Sequence, residues 1–136
     1  MRRLNLAAFV AVICLLSSCA LPPWALSVLD SLNRPVAGQQ VACPQWLGAA
    51  RLAGFTEAEL PHLMSLMHRE SRCDPGAFQV KRNRDGIPDR GLLQIHGTWL
   101  PTLCGLGIAC AGADLFNPQT NLHAARLLFE LDGFGP

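Results

Sequence analysis

The stretch from Glu70 to Trp99 reads ESRCDPGAFQVKRNRDGIPDRGLLQIHGTW and carries the strongest structural signals in this chain. It opens on a glutamate and holds Asp85 and Asp89 just before the apolar run Gly91-Leu92-Leu93-Gln94-Ile95, although the whole chain has only ten acidic side chains. An apolar run of this length behind a polar segment is typical of a strand. We therefore expect these acids to surround one short β element.

The segment before the apolar run contains Asn83-Arg84-Asp85-Gly86, which has the composition of a reverse turn. It predicts a small hairpin or an extended loop, in which Asp85 accepts hydrogen bonds from backbone N–H groups. A calcium-binding EF-hand loop does not fit, because its first and last ligand positions would be Lys81 and Leu92.

The residues in front of Glu70 predict an amphipathic helix that continues to about Ser71. Thr56 and Glu59 have the spacing of a capping box, and Pro61 offers a second place for the first turn. Apolar side chains recur at the i, i+3, i+4, i+7 spacing of a buried helix face, at Leu60, Leu63, Met64 and Met67.

Glu70 follows Met67 by three residues, which places it within roughly a few tens of degrees of that apolar face. Apolar surroundings and the negative end of the helix dipole both favour the protonated form of its carboxyl. A carboxyl that keeps its proton near neutral pH can serve as a general acid. The alternative is a surface glutamate paired with Arg69, Arg72 or a loop arginine.

Two more helices are predicted, one over residues 44–53 before Gly54 and one over residues 118–131 behind the cap Asn117. The inner face of the second is expected to carry Leu122, Ala125, Leu128 and Phe129. The predicted fold class is α+β, mainly α, with a small β hairpin or extended loop beside the helix that carries Glu70.

Residues 1–18 have the pattern of a signal peptide, with a basic start and an apolar run that is too short to span a bilayer. The sequence Leu16-Ser17-Ser18-Cys19 resembles the lipobox of bacterial lipoproteins, which predicts a lipid on the thiol of Cys19. Cleavage after Ala20 or Ala25 and an uncleaved anchor are the alternatives.

The rest of the chain is expected to form a tether over residues 19–42 and one folded domain over residues 43–136. Each alternative for the signal places this domain outside the cytoplasm, either anchored to the membrane or secreted. No cofactor is indicated, and the domain is expected to be a monomer.

The charge balance argues against nucleic-acid binding. The formal net charge is +1, and without the two arginines of the signal nine basic side chains remain against ten acidic ones. One local basic cluster is either a solvated loop or a groove for an anionic polymer such as cell wall, and consists of Lys81, Arg82, Arg84 and Arg90.

Four cysteines remain beyond the signal and its edge: Cys43, Cys73, Cys104 and Cys110. An even number in a small exported domain favours two disulfides. Three pairings are open, and we prefer Cys104 with Cys110, which closes a small loop, and Cys43 with Cys73, which ties the chain's entry to the segment after Glu70. A metal site is not expected, because no C-x-x-C pair occurs and the histidines are scattered.

Several motifs stand in one order: Glu70-Ser71, Asp85-Gly86, the run Asp89-Arg90-Gly91-Leu92-Leu93-Gln94-Ile95-His96, and Trp99. In this order they resemble the lysozyme superfamily, which contains chicken-type lysozymes and bacterial Slt-type lytic transglycosylases. Asn117-Pro118 and Asn121 match a later part of the bacterial enzymes. The resemblance implies a lysozyme-like fold and cleavage of the β-1,4 bond between N-acetylmuramic acid and N-acetylglucosamine in peptidoglycan.

The resemblance also implies that Glu70 is the general acid that protonates the glycosidic oxygen. Asp89 stands where chicken-type lysozymes carry their second acid, as a nucleophile or ion-pair partner. Slt-type transglycosylases usually lack that acid and let the C6 hydroxyl of the sugar attack, which leaves a 1,6-anhydro product.

We therefore expect a lytic transglycosylase. The alternatives are a hydrolysing lysozyme that uses Asp89 and a non-catalytic cell-wall-binding protein. The structural alternative for Asp89 is an ion pair with Arg82, Arg84 or Arg90.

Further candidates for substrate contact are Ser71, Gln94, His96 and Trp99, of which Gln94 resembles the family's substrate-lining glutamine. Trp99 is expected either to stack on a sugar ring or to pack in the core. The chain departs from the chicken-type pattern at His96, where an asparagine is usual. It also ends at Pro136, where related chains often continue. The alternatives are that a wall of the groove is missing, that a partner supplies it, or that the sequence is C-terminally incomplete.

Overall fold

The computed structural model describes residues 22–34, 41–80 and 83–132. The signal segment, Cys19 and the last four residues lie outside this part, as do Lys81 and Arg82. The helices are α1 (Pro23–Asn33), α2 (Leu47–Leu52), α3 (Leu60–Ser71), α4 (Leu100–Gly105) and α5 (Pro118–Asp132). Short 3-10 helices precede α2, α4 and α5, at Pro44–Trp46, Gly97–Trp99 and Gly112–Phe116.

The strands form one small antiparallel sheet between α3 and α4. Its strands are β1 (Phe78–Gln79), β2 (Asp89–Arg90) and β3 (Ile95–His96), with β2 in the centre. The turn at residues 83–86 lies between β1 and β2, as predicted. The mainly helical α+β fold is thereby confirmed.

The apolar face of α3 forms the middle of the core. Its four predicted residues, Leu60, Leu63, Met64 and Met67, are buried. The capping box is present in part, because the backbone N–H and the hydroxyl of Thr56 both donate to Glu59 Oε2, at 2.7 and 2.8 Å. The regular helix begins at Leu60 with Pro61 in its first turn, which was the second of the two predicted starts.

The core consists of two neighbouring clusters that meet along α5. One cluster joins α2 and α3 to Leu92 and Leu122. The other contains Ile95, Leu103, Ala109, Leu115 and Ala124. Helix α5 begins at Pro118, directly after the predicted cap Asn117. The Oδ1 atom of Asn117 accepts the backbone N–H of Thr120 at 3.1 Å.

Asn121 of α5 is fully buried and connects three parts of the chain. Its Nδ2 donates to the backbone oxygens of Arg90 and Leu115, both at 2.9 Å, and its Oδ1 accepts the backbone N–H of Leu93 at 3.0 Å. This side chain therefore holds the sheet, the loop that follows β2 and the 3-10 helix before α5 in one arrangement.

Residues 19–42 were expected to be a tether, yet they contain α1, which packs against α2 and the 3-10 helix before it. Arg51 of α2 donates to the carbonyl of Leu32, and its Nη2 donates to the carbonyl of Arg34 at 3.1 Å. These bonds satisfy carbonyls at the end of α1, which have no partner within the helix. This packing was not predicted, because the stabilising partner lies 17 to 19 residues away in the chain.

Both predicted disulfides are confirmed. Cys43 pairs with Cys73 across 30 residues, with their Cα atoms 5.4 Å apart, and Cys104 pairs with Cys110 across 6 residues. The first joins the start of the domain to the end of α3, and the second closes the loop after α4.

The two disulfides are expected to contribute unequally to stability. Loop-closure entropy in the unfolded chain gives about 3.5 kcal/mol for the longer loop and about 2 kcal/mol for the shorter one. Urea unfolding of the variant pairs Cys43→Ala/Cys73→Ala and Cys104→Ala/Cys110→Ala measures both losses. A larger loss in the second pair would contradict this order.

Acid is expected to destabilise the domain partly through Glu59. Hydrogen bonds from Thr56, and to a smaller extent from Arg126, hold the pKa of Glu59 below its ordinary value of 4.5. Such a carboxylate contributes stability that is present above its unfolded pKa and is lost as the pH falls through the folded pKa. Glu59→Gln should therefore lower the free energy of unfolding near neutral pH and make its fall in acid shallower. Urea unfolding at neutral and acidic pH tests this, and equal acid sensitivity of both proteins would contradict it.

Candidate functional site

Glu70 lies in the last turn of α3, and the backbone around it is firmly held. Arg72 ends the helix in the left-handed conformation, with φ 57°, and its N–H donates to the carbonyl of His68 at 3.0 Å. The indole Nε1 of Trp46 donates to the carbonyl of Cys73 at 3.0 Å, next to the disulfide with Cys43. The glutamate is thus presented from a rigid helix end.

The Glu70 side chain is more open than its sequence position predicted. It is 35% exposed, and its Oε1 lies 3.2 Å from Nε of Arg69, which is itself 74% exposed. The prediction of apolar surroundings was wrong because Glu70 lies about 70° from the centre of the apolar stripe, at its edge. Ser71 occupies the buried position instead. An exposed pair such as Arg69–Glu70 restrains the carboxylate only weakly.

One face of the sheet carries the second predicted acid. Asp89 is the cross-strand partner of both Gln79 and His96, so these three side chains lie on the same face. The other face carries Phe78, Arg90 and Ile95. Ile95 is buried in the core, which leaves the Asp89 face as the side turned away from that cluster.

Asp89 is partly buried, with 20% of its side chain exposed, and both of its oxygens face polar neighbours. Asn83 Nδ2 donates to Oδ2 at 3.0 Å, and His96 Nε2 lies 3.9 Å from Oδ1. Arg90 instead lies over the Phe78 ring, 5.5 Å from its centroid, and donates to the carbonyl of Pro88. Within the described residues Asp89 therefore pairs with an amide and a histidine, and not with Arg84 or Arg90.

His96 is held between a threonine and two acids. Its Nδ1 lies 2.8 Å from Thr98 Oγ1, and its Nε2 lies 3.5 Å from Asp85 Oδ2 and 3.9 Å from Asp89 Oδ1. Asp85 also accepts the backbone N–H of Ile87 at 2.9 Å, which confirms its predicted role in the turn. Asn83, Asp85, Asp89 and His96 are called the sheet-face cluster below.

The scan against protein families matches residues 48–130 to the lysozyme-like domain. The match covers more than half of the 136 residues. The chain belongs to the lysozyme-like family. No curated protein and no solved structure gives a significant match.

The sequence-predicted site residues of this lysozyme-like domain fall into separate groups. No hydrogen bond or ion pair joins Glu70 to Asp89 in the described part of the chain. The Ser71 hydroxyl is buried and donates to the carbonyl of Met67 at 3.0 Å. Gln94 Nε2 donates to the carbonyls of Ala77 and Gly91, at 3.1 and 2.9 Å. In the free protein these two side chains support the backbone, and contact with substrate stays a prediction for both.

Trp99 of the lysozyme-like domain is partly buried and packs against the cluster that contains Ile95 and Leu103. One part of the indole therefore lies in the core while another part is open to solvent, so packing in the core is confirmed. Stacking on a sugar ring stays a prediction.

Three residues that hold the site were not recognised from the sequence. Trp46 donates to the carbonyl of Cys73, three residues after Glu70, and Thr98 contacts the ring of His96. Asn83 was assigned only to the turn, but it also donates to Asp89. Asn83 lies six residues before Asp89 and on the opposite side of the turn, so no local spacing rule connects them. No helix among the described residues has the length and the apolar character needed to cross a membrane.

Proposed function

We propose that this lysozyme-like protein is a lytic transglycosylase that cleaves peptidoglycan glycan strands, with Glu70 as general acid and then base. The observation that carries this proposal is the difference between the two candidate carboxylates. Glu70 is open to solvent beside an exposed arginine, whereas both oxygens of Asp89 face neighbouring polar groups. One accessible carboxyl is the requirement of a reaction that uses a single acid.

The reaction needs one proton, which Glu70 first donates and later takes back. The Glu70 carboxyl gives its proton to the glycosidic oxygen, and the bond between that oxygen and C1 of N-acetylmuramic acid breaks. The C6 hydroxyl of the same sugar then bonds to C1 and returns its proton to the Glu70 carboxylate. The products are a shortened strand and a 1,6-anhydro end, without consumption of water.

The bound glycan strand is both the substrate and, in this proposal, a cover for the Glu70 carboxyl. In the free protein the Glu70 carboxyl is partly exposed to water. A glycan strand that covers the end of α3 excludes water from the carboxyl and thereby favours its proton. Ser71, Gln94 and Trp99 are the residues proposed to border this strand.

The proposed substrate places the protein in the bacterial cell envelope, outside the cytoplasm. A lipid on Cys19 would anchor it to a membrane, and α1 begins four residues later. Because α1 packs on α2, the domain would be held close to its anchor.

Digestion of purified peptidoglycan, followed by mass spectrometry of the soluble fragments, tests the proposal. Fragments with 1,6-anhydro ends support it. Reducing ends, each one water heavier, would show hydrolysis and overturn the transglycosylase assignment in favour of a lysozyme. No fragments from a correctly folded protein would leave a non-catalytic cell-wall-binding protein.

A further inference from the structure

The sheet-face cluster contains an acid that a one-carboxyl reaction does not use. Asp89 lies on an outer face of the sheet and keeps 20% of its side chain exposed. A free carboxylate beside a glycosidic bond can stabilise the oxocarbenium-like centre and support hydrolysis. The arrangement around Asp89 therefore bears directly on which product forms.

The Nε2 atom of His96 lies at ion-pair distance from two acids. The backbone N–H of Thr98 points to His96 Nδ1 at 3.4 Å, and a backbone N–H can only donate, so Nδ1 accepts and the ring proton is assigned to Nε2. In the doubly protonated ring Nε2 also carries a proton. Nε2 lies 3.5 Å from Asp85 Oδ2 and 3.9 Å from Asp89 Oδ1, which are ion-pair distances when the ring is protonated.

Asp89 is thereby restrained from two sides. The Asn83 amide binds Oδ2, and the same amide group donates to the carbonyl of Ile87 at 2.5 Å, which fixes it on the turn. His96 faces Oδ1 from β3, the strand paired with β2. The hydrogen bond on Oδ2 and a protonated His96 at ion-pair distance from Oδ1 both lower the charge that the carboxylate can offer to a cationic centre or to an attacking water.

We propose that His96 is a positioning residue that decides the reaction product by occupying Asp89. It keeps this carboxylate from assisting water, so the C6 hydroxyl of the sugar is the nucleophile that reaches C1. The inference rests on the proposed transglycosylase function and explains why the 1,6-anhydro product forms. It also assigns His96 to Asp89 and not to the sugar.

The test compares product ratios of the wild type, His96→Ala and His96→Ala/Asp89→Asn on purified peptidoglycan. Release of Asp89 in His96→Ala should raise the ratio of reducing to anhydro ends at least about tenfold. The double variant lacks the released charge and should return to the wild-type ratio. A purely structural role of His96 would slow both products equally and leave the ratio unchanged.

Two further variants keep the test decisive. His96→Gln retains an N–H donor and should preserve the anhydro product. Asn83→Ala frees the other oxygen of Asp89 and should raise the reducing-end share even if His96→Ala does not fold, as judged by circular dichroism. A wild-type ratio in folded His96→Ala overturns the inference whatever Asn83→Ala shows, and so does a raised ratio that persists in the double variant. If His96→Ala does not fold, a wild-type ratio in Asn83→Ala overturns it.

Failure of the proposed function gives a different experimental result from failure of the inference about His96. If the wild type itself releases only reducing ends or no fragments, the transglycosylase assignment falls, and the role of His96 falls with it. If the wild type releases anhydro ends that no variant converts, the function stands and only the inference about His96 is overturned.

Discussion

Glu70→Gln should abolish peptidoglycan cleavage and leave the fold intact. Glutamine has nearly the shape of glutamate but cannot give a proton to the glycosidic oxygen, and a positioned general acid contributes about 10²-fold to 10⁴-fold in rate. The Glu70 side chain contacts only Arg69 by hydrogen bond or ion pair among the described residues, and that pair is exposed. Stability should therefore change by less than about 0.5 kcal/mol.

The rate of fragment release and the thermal midpoint are measured on the same samples. Glu130→Gln is a matched control, because it makes the same change at an exposed position near the end of α5, where Arg126 is the ion-pair partner of the residue within the described part of the chain. Undiminished cleavage by folded Glu70→Gln would remove Glu70 from its assigned role. An equal loss of cleavage in Glu130→Gln would point to a general effect of lost charge.

Gly91→Ala should have the largest effect on stability of any single change considered. Gly91 has φ +77°, and a Cβ there would lie 2.2 Å from the carbonyl oxygen of Leu115 and 2.3 Å from Nδ2 of Asn121. Left-handed strain and a clash with buried, hydrogen-bonded groups should together lower the free energy of unfolding by about 3 to 5 kcal/mol. The shift would also displace Asn121, which holds the sheet beneath Asp89.

Gly86→Ala separates the two causes. Gly86 has nearly the same backbone angle, φ +71°, but no atom of the described residues lies within 4 Å of its Cβ position. It should therefore lose only the strain contribution, about 1 to 2 kcal/mol. Urea unfolding of both variants gives the comparison, and equal losses would show that the contact with Leu115 and Asn121 adds nothing.

The local features of the fold were largely predictable. The spacing of Leu60, Leu63, Met64 and Met67 identified the buried face of α3, and Asn117 with Pro118 identified the start of α5. Each of these signals depends on residues within a few positions of one another. The disulfide pairing was also predicted correctly. Four cysteines allow only three pairings, so the sequence left few alternatives.

The site was less predictable, because its geometry depends on residues that are far apart. The stripe of α3 placed Glu70 close to the core, but its position at the edge of that stripe left it exposed. Asp89 was expected to act as a second acid or to pair with Arg82, Arg84 or Arg90, whereas among the described residues Asn83 donates to it and His96 lies 3.9 Å away. Which neighbours surround an acid is a property of strand register and turn geometry.

The amino-acid sequence alone therefore predicted a mainly helical, lysozyme-like domain and offered Glu70 and Asp89 as candidate acids. Folding settled how open each acid is, which groups face it, and that α1 packs on the domain. The physical reason is the range of the interactions. Helix periodicity and turn composition act between neighbours in the chain, whereas side-chain exposure and hydrogen-bond partners depend on elements that meet only after the chain has folded.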